Sequence, residues 1–448
     1  MKVCHFNTFP YGGAAYAARR IHDSLRLEGV LSKFYYWKNN RKQLDATYER
    51  MEFEQPEEIP LLGPIIRKHR RIKQRQIKNR YDKHIRPRNK DLEVFSGAQL
   101  LDHTRINWNI HGADVIHLHW VAFFLDYMTF FASIPDEVPV VWTLHDMNPL
   151  SGGCHYSGAC SRFTVGCGQC PQLIQPHATD ESFESFKIKK RAIKKKNLTV
   201  VAPSRWMLNL AKSSMMFNAN TRFEYIRYGF DLDVFRPYDK QQIRKELGID
   251  CQGKFIVGFG AEDINHHRKG FHYVVETLRR LKQNPRIECV VFGGGDLPED
   301  LQQLSKIHSF GFIEEPEQQA KIYSAMDCFL LPSLEDNWPQ TGLEAMACGT
   351  PVVAFDTGGI SEYVLSHQSG LLCSTGNANK LAASVDWLSK NPLICKRMAA
   401  RSRRLMEARY SLREQAYNYR QLYDSIREDV QQTDSSKFDG ESSSNQAA

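Results

Sequence analysis

The sequence predicts an α/β protein of two doubly wound domains, each a parallel sheet covered by helices, and three observations predict it. Strand-length apolar runs alternate with helix-length amphipathic segments in both halves of the chain. That alternation breaks once, at a proline-ended stretch with little periodicity around residue 230. A length of 448 residues also exceeds the 250–300 or so residues at which single cores stop growing.

Residues 2–7 read as a strand, Gly12-Gly13 as a turn, and residues 14–28 as a helix with Ala14, Ala17, Ala18, Ile21 and Leu25 on one face. Strands follow at 115–119, 138–144 and 198–202, the second a nearly continuous apolar run of the kind that parallel strands buried on both faces show. Residues 1–225 form the first domain and 226–238 the linker. The pattern restarts with strand 255–259, helix 273–283, strand 287–292, a turn at Gly293 to Gly295, helix 319–326 and strand 328–331. A helix beginning close to Leu343 leads to strand 352–355, which places the second domain at 239–405. A C-terminal helix at 406–430 precedes a tail, 431–448, whose Ser, Gln, Asn and Asp content predicts disorder. Ligands of such sheets bind beyond the carboxyl ends of the strands, so turns directly after strands are the ones to inspect.

Composition excludes wholesale disorder: 42% of residues are hydrophobic and 25% charged. The N-terminus enters its first strand without a basic and apolar leader pattern. The most apolar stretch, 121–131, is interrupted by Asp126 and falls short of the roughly 20 residues a spanning helix needs. A cytoplasmic protein is expected. Single cysteines such as Cys289, Cys328 and Cys348 fit a reducing compartment. The net charge of +8 is unevenly spread, with twelve Lys or Arg between residues 67 and 90 and seven between 187 and 196. Each run reads as a solvated helix face. The first, threaded by Ile65, Ile66, Ile72 and Ile77, also reads as an amphipathic surface for anionic lipid, peripheral at a membrane; no nucleic-acid partner is expected.

The chemistry concentrates in residues 330–354, LLPSLEDNWPQTGLEAMACGTPVVA. A strand, an acidic loop, a helix and a Gly-Thr-Pro stop place Asp336 and Glu344 on either side of the segment that opens a helix, Asn337, Trp338, Pro339, Gln340 and Thr341, whose backbone N–H groups, all but that of Pro339, are available. Such a terminus favours anions. The arrangement suits a nucleotide sugar, with amides for the diphosphate and carboxylates for ribose and sugar hydroxyls. Read alone, the two acids equally well cap a helix.

This stretch resembles the signature of retaining glycosyltransferases of family 4, which have the two-domain GT-B fold, two Rossmann-like domains facing across a cleft. Glu344 matches the second glutamate of that signature, and Asp336 stands where the first is usual, with Glu335 beside it. Gly12-Gly13 matches the family's N-terminal glycine turn, where close backbone approach to phosphate leaves no room for a side chain. Arg268-Lys269-Gly270 resembles its basic pair, although Ala261 stands where an arginine is customary. His145, at the end of a buried strand, falls where the family carries a histidine near donor sugar and acceptor. His117 and His119, alternating with apolar residues, read as structural. Tyr228-Gly229-Phe230-Asp231 and Phe235-Arg236-Pro237 match the linker phrase.

Cys154, Cys160, Cys167 and Cys170 form a Cys-x5-Cys-x6-Cys-x2-Cys insert, at 152–171. Four thiolates can enclose a structural zinc, with His155 in reserve; two disulfides or unligated thiols are the alternatives. The insert is similar to that of a subgroup associated with bacterial exopolysaccharide assembly of the colanic-acid type.

The resemblance implies retaining transfer of a hexosyl group from a nucleoside diphosphate sugar to a glycan or lipid-linked oligosaccharide, with no cofactor required for catalysis. Catalytic roles fall to His145, Asp336 and Lys269. Donor binding falls to Gly12, Gly13, Arg268, Lys269, Glu344 and the 336–341 loop. A sugar-nucleotide epimerase and a noncatalytic basic adaptor are the competing readings.

Overall fold

Strands whose residues are buried on both faces build the centre of each sheet, and helices with one apolar stripe cover them. The structure, a computed structural model, describes residues 1–39, 44–53, 93–99, 105–106, 112–249, 252–299 and 301–444, with scattered positions between 65 and 79.

In the N-terminal domain β1 (Lys2–Asn7), α1 (Gly13–Leu27), β2 (Leu31–Tyr36), β3 (Tyr48–Arg50) and β4 (Val115–Leu118) are followed by α2 (Tyr127–Ser133), β5 (Val140–Thr143), α3 (Glu181–Ile193), β6 (Leu198–Ala202), α4 (Arg205–Ser213) and β7 (Arg222–Tyr225). The strands are parallel, in the order β3-β2-β1-β4-β5-β6-β7. The order reverses between β1 and β4, and ligand crevices open at such switch points.

The C-terminal domain repeats the scheme with α5 (Lys240–Glu246), β8 (Phe255–Asp263), α6 (Phe271–Leu281), β9 (Ile287–Gly294), β10 (Lys306–Ser309), α7 (Pro316–Ala325), β11 (Cys328–Leu331), α8 (Gln340–Ala347), β12 (Val352–Phe355), β13 (Gly370–Cys373), α9 (Ala378–Lys390) and α10 (Pro392–Arg409). Its parallel order is β10-β9-β8-β11-β12-β13. The switch lies between β8 and β11. The turns after those two strands carry Arg268-Lys269 and the acidic loop.

Separate cores fill the two domains, one around Phe124, Phe130 and Trp142, the other around Tyr323, Phe329 and Tyr363. The last helix, α11 (Leu412–Ser444), crosses back. Its Tyr419, Leu422, Tyr423 and Ile426 pack on Val3, Ile21, Leu25 and Val141 of the first domain.

Several expectations need correction. The helix expected from residue 406 is two helices broken at Tyr410-Ser411, where the chain pairs with the linker at Phe230. The expected disordered tail instead continues helical backbone to Ser444. Extending a helix that packing has nucleated costs little per residue, and no proline interrupts residues 431–444. The helix expected near Leu343 starts at Gln340, directly after Pro339, so Glu344 sits in its second turn. Most of the basic run at 67–90 lies outside the described residues.

Candidate active site

Both sheets end on one interdomain cavity of about 350 Å³. On the N-terminal side Gly12 has φ +92°, a conformation few other residues tolerate. A Cβ there would meet the Glu262 carboxylate at 3.3 Å, so the glycine turn lies directly against the other domain. Gly13 itself lines the cavity.

His145 and Asp146 follow β5 and line the same cavity. His145 Nδ1 lies 2.5 Å from the Tyr228 hydroxyl. Burial pushes its pKa down to about 4 despite the nearby Asp146 charge, so the imidazole is neutral at physiological pH. Asp146 accepts from Trp120 Nε1 at 2.7 Å and the Asn148 amide at 2.9 Å, and pairs with His155 Nδ1 at 2.5 Å. Burial alone would raise the Asp146 carboxyl; these partners outweigh it and hold the group below the usual range.

On the C-terminal side the turn after β8 is tied to the loop after β11. Leu334 N–H donates to Arg268 O at 2.8 Å. Gly270 has φ +75° and packs so closely that a Cβ would stand 2.0 Å from Pro332 O. Arg268 and Lys269 therefore meet Asp336, with Arg268 Nη1 and Lys269 Nζ donating to Oδ2 at 2.9 and 2.7 Å. Burial pushes the Asp336 carboxyl up, but the charges of Lys269 and Arg268 prevail and keep it below the ordinary carboxylate range. Arg268 also pairs with Glu93 at 2.5 Å and stacks 3.9 Å over the Tyr156 ring. The adjacent Glu335 points elsewhere and accepts from the Gly158 amide at 2.8 Å.

Trp338, Pro339, Gln340, Thr341 and Glu344 line the cavity where α8 begins. The first-turn amides have no carbonyl four residues back within the helix, leaving the positive end of α8 directed at this space. Glu344 accepts from Arg20 Nη2 at 2.7 Å and from the Tyr323 hydroxyl at 3.2 Å. Arg20 donates also to Gln340 Oε1 at 2.6 Å, and Gln340 Nε2 donates to Gly13 O. Asn337 does something different from its neighbours. Its amide nitrogen donates to Leu144 O and His145 O at 2.9 and 3.1 Å, and its oxygen accepts from Ser204 Oγ at 2.7 Å. It is an interdomain clasp rather than part of the cavity wall.

The geometry thus assembles cations, a helix N-terminus, three buried acids and a neutral imidazole about one interdomain space. Residues 239–405 match the family model described as glycosyl transferases group 1. Residues 239–405 are therefore similar to glycosyl transferases group 1. D-inositol 3-phosphate glycosyltransferase of Mycobacterium marinum is 31% identical over 189 residues, 38% of this chain and 38% of that relative. The match therefore spans about two fifths of the relative's length. Sucrose-phosphate synthase of Thermosynechococcus elongatus superposes with a TM-score of 0.64 at 18% identity, covering 95% of this chain and 98% of that one. Anabaena Alr3699/HepE in complex with UDP and glucose gives 0.62 at 17% identity, covering 95% and 100%. The fold is GT-B, and the group 1 match lies within its C-terminal domain.

Arg20 and Ser333 escaped the sequence reading, whereas Trp338 belongs to the loop expected to bind the donor. Arg20 projects from α1, and its partner Glu344 is 324 positions away in the group 1 domain. Ser333 and Trp338 line the cavity with Oγ and Nε1 buried and, among the described residues, without a hydrogen-bond partner. Ser333 lies within the 330–354 stretch, but nothing in its sequence context assigns it a role.

The four cysteines of the insert surround one small cavity of about 20 Å³, walled by Phe95 and Phe163. Cys167 and Gln169 take φ of 64° and 49°, and the Gly152 amide donates to Cys167 Sγ at 3.2 Å. His155, the reserve ligand, is committed to Asp146 and, through Nε2 at 2.9 Å, to Ser96 Oγ. The group of potential ligand atoms within 4.8 Å of one another, among the described residues, is His5, His117 and His119 instead. Lys189, from the second basic run, is buried and donates to Asn148 O at 2.8 Å, a structural task. Among the described residues no helix is long and apolar enough to cross a membrane.

Proposed function

We propose that this protein is a retaining glycosyltransferase that moves a hexosyl group from a nucleoside diphosphate sugar to a glycan acceptor in exopolysaccharide assembly. The observation that carries the reading is the meeting of Arg268, Lys269 and the α8 N-terminus at one interdomain cavity. Clustered cations and unpaired amides are what a diphosphate leaving group requires, because negative charge grows on it as the glycosidic bond breaks. Ser333 Oγ and Trp338 Nε1 supply two further buried polar groups awaiting partners. The neighbour solved with UDP and glucose supports a nucleoside diphosphate donor.

The buried acids lining the cavity, Asp146, Asp336 and Glu344, are each held by cationic or hydrogen-bonding partners. That engagement disfavours a side-chain nucleophile and supports a front-face route in which the leaving phosphate takes the acceptor proton. Domain closure over the cavity then orients the two substrates. A zinc on the insert's four thiols, which would have to draw closer together to hold it, would be structural rather than catalytic, since a complete thiolate shell leaves no position for substrate.

Calorimetric titration with a panel of nucleoside diphosphate sugars tests the reading, repeated with Lys269→Ala and Glu344→Ala. At least one donor should bind, and both variants should weaken it. Equal affinity in all three proteins would sink the site assignment.

A further inference from the structure

Behind His145 the histidines read as structural form a hydrogen-bonded line into the core. His5 lies on β1, His117 pairs with it on β4, and His119 follows directly after β4. The Tyr228 hydroxyl lies 2.5 Å from His145 Nδ1, His145 Nε2 lies 3.1 Å from His119 Nδ1, and His119 Nε2 lies 3.0 Å from His5 Nδ1. At the inner end His5 Nε2 is buried and, among the described residues, has no partner. His117 stands beside the line, bound to Thr143 Oγ1 and the Tyr423 hydroxyl, each at 2.7 Å.

The closeness of His5, His117 and His119 invites a metal-centre reading. Both ring nitrogens of His117 and of His119 are already engaged by protein groups, however, and a metal would have to displace those bonds. A proton-ordered line uses all of them.

Burial drives each of these imidazoles toward its neutral form. A neutral imidazole has one N–H and one lone pair, so the three rings must point their protons the same way. If Tyr228 donates inward, each ring passes a proton deeper, and His5 is left with a buried Nε2–H that has no acceptor. If the order runs outward, His5 Nδ1–H donates to His119, His119 Nδ1–H donates to His145, and His145 Nδ1–H donates to the Tyr228 oxygen. His5 Nε2 is then only a bare lone pair. Orphaned buried N–H groups are rarer in proteins than under-satisfied acceptors. The outward order also leaves the phenolic hydrogen of Tyr228, a residue lining the cavity, available to a ligand.

We propose that the His5–His119–His145 line is proton-ordered outward, making Tyr228 a hydrogen-bond donor to an oxygen of the bound substrate and His119 the positioning residue that fixes the His145 tautomer. The substrate half of this statement rests on the glycosyl-transfer reading; the proton order does not. Tyr228 approaches from the linker, and the oxygen assigned to it is a sugar or acceptor hydroxyl, the diphosphate being left to Arg268, Lys269 and the α8 N-terminus.

The test is nitrogen NMR of the full-length protein with 15N-labelled histidine at neutral pH, with ring signals assigned by single His→Gln variants. The expected pattern for His145 is a pyrrole-type Nδ1 and a pyridine-type Nε2; the reverse pattern, or an imidazolium, overturns the proposal. In a second arm, Tyr228→Phe should lower the rate of sugar transfer about 10- to 100-fold, the cost of leaving a buried oxygen without its donor, with affinity for the free nucleoside diphosphate retained. An unchanged transfer rate overturns Tyr228 donation even if the tautomer is as expected. Failure of the parent reading would look different: no nucleoside diphosphate sugar would bind the unmodified protein, whatever the nitrogen pattern.

Discussion

Replacing Lys269 with alanine isolates the cation at the centre of the proposed donor site. Its side chain is 29% exposed and its ammonium lies 2.7 Å from Asp336 Oδ2, while Arg268 holds the same oxygen at 2.9 Å. A hydrogen bond to a charged group is worth about 1.5–3 kcal/mol, and each 1.4 kcal/mol or so is a factor of ten in affinity. Binding a diphosphate must loosen the existing bond to Asp336, which places the net effect in the lower half of that range. A loss of about 10- to 30-fold in nucleoside diphosphate affinity follows. The fold should hold, because Arg268 still neutralises Asp336 and a partly exposed ion pair contributes under about 1 kcal/mol. Calorimetric titration with a panel of nucleoside diphosphates, paired with urea unfolding of the same preparations, separates the two effects. Wild-type affinity in the variant, or a stability loss of several kcal/mol, would refute the reasoning.

Three other outcomes are expected. Arg20→Ala leaves the buried Glu344 carboxylate without its ion partner and should destabilise the protein by about 3 kcal/mol in denaturant unfolding; Arg20→Lys should recover only part, lacking the fork that reaches both Gln340 and Glu344. Because the Asp336 carboxyl is depressed in the folded protein, its stabilisation is present above the ordinary aspartate value of about 3.9 and is lost as pH falls through the depressed one; the stability gap between wild type and Asp336→Asn should stay level from about pH 7 to pH 5 and close below about pH 4. Elemental analysis of purified protein should find about one zinc per chain, absent from a Cys167→Ser, Cys170→Ser double variant, whereas a metal-free and fully folded wild type would reject the zinc site.

The parts of the fold legible in sequence were those whose physics is local. Central strands such as β6 and β11, buried throughout and apolar but for Thr199, were placed to the residue. Edge strands such as β3, Tyr-Glu-Arg, and β10, Lys-Ile-His-Ser, carry no such run and were missed. The start of α8 was misplaced because Pro-Gln-Thr-Gly reads as a turn. Gly342 is tolerated inside that helix because a Cβ would stand 2.6 Å from the Tyr363 hydroxyl and 2.9 Å from Leu331, a closeness only the folded packing reveals. Likewise the acids Asp336 and Glu344 were found, but not what holds them. Arg20 belongs to the other domain, and no periodicity connects positions so far apart. His119 looked like one more alternating core residue until β1, β4 and β5 were laid side by side.

The return of α11 has a mechanical consequence. The backbone passes between domains twice, once outward at residues 226–238 and once back at Tyr410-Ser411, and the Phe230 amide is fastened to Tyr410 O at 2.8 Å where the two passages touch. A single tether would let the halves swivel freely; a doubled, cross-pinned one permits bending about one line and resists torsion. Opening and shutting should therefore follow a nearly fixed arc, bringing Gly13 back onto Gln340 in the same alignment on every cycle.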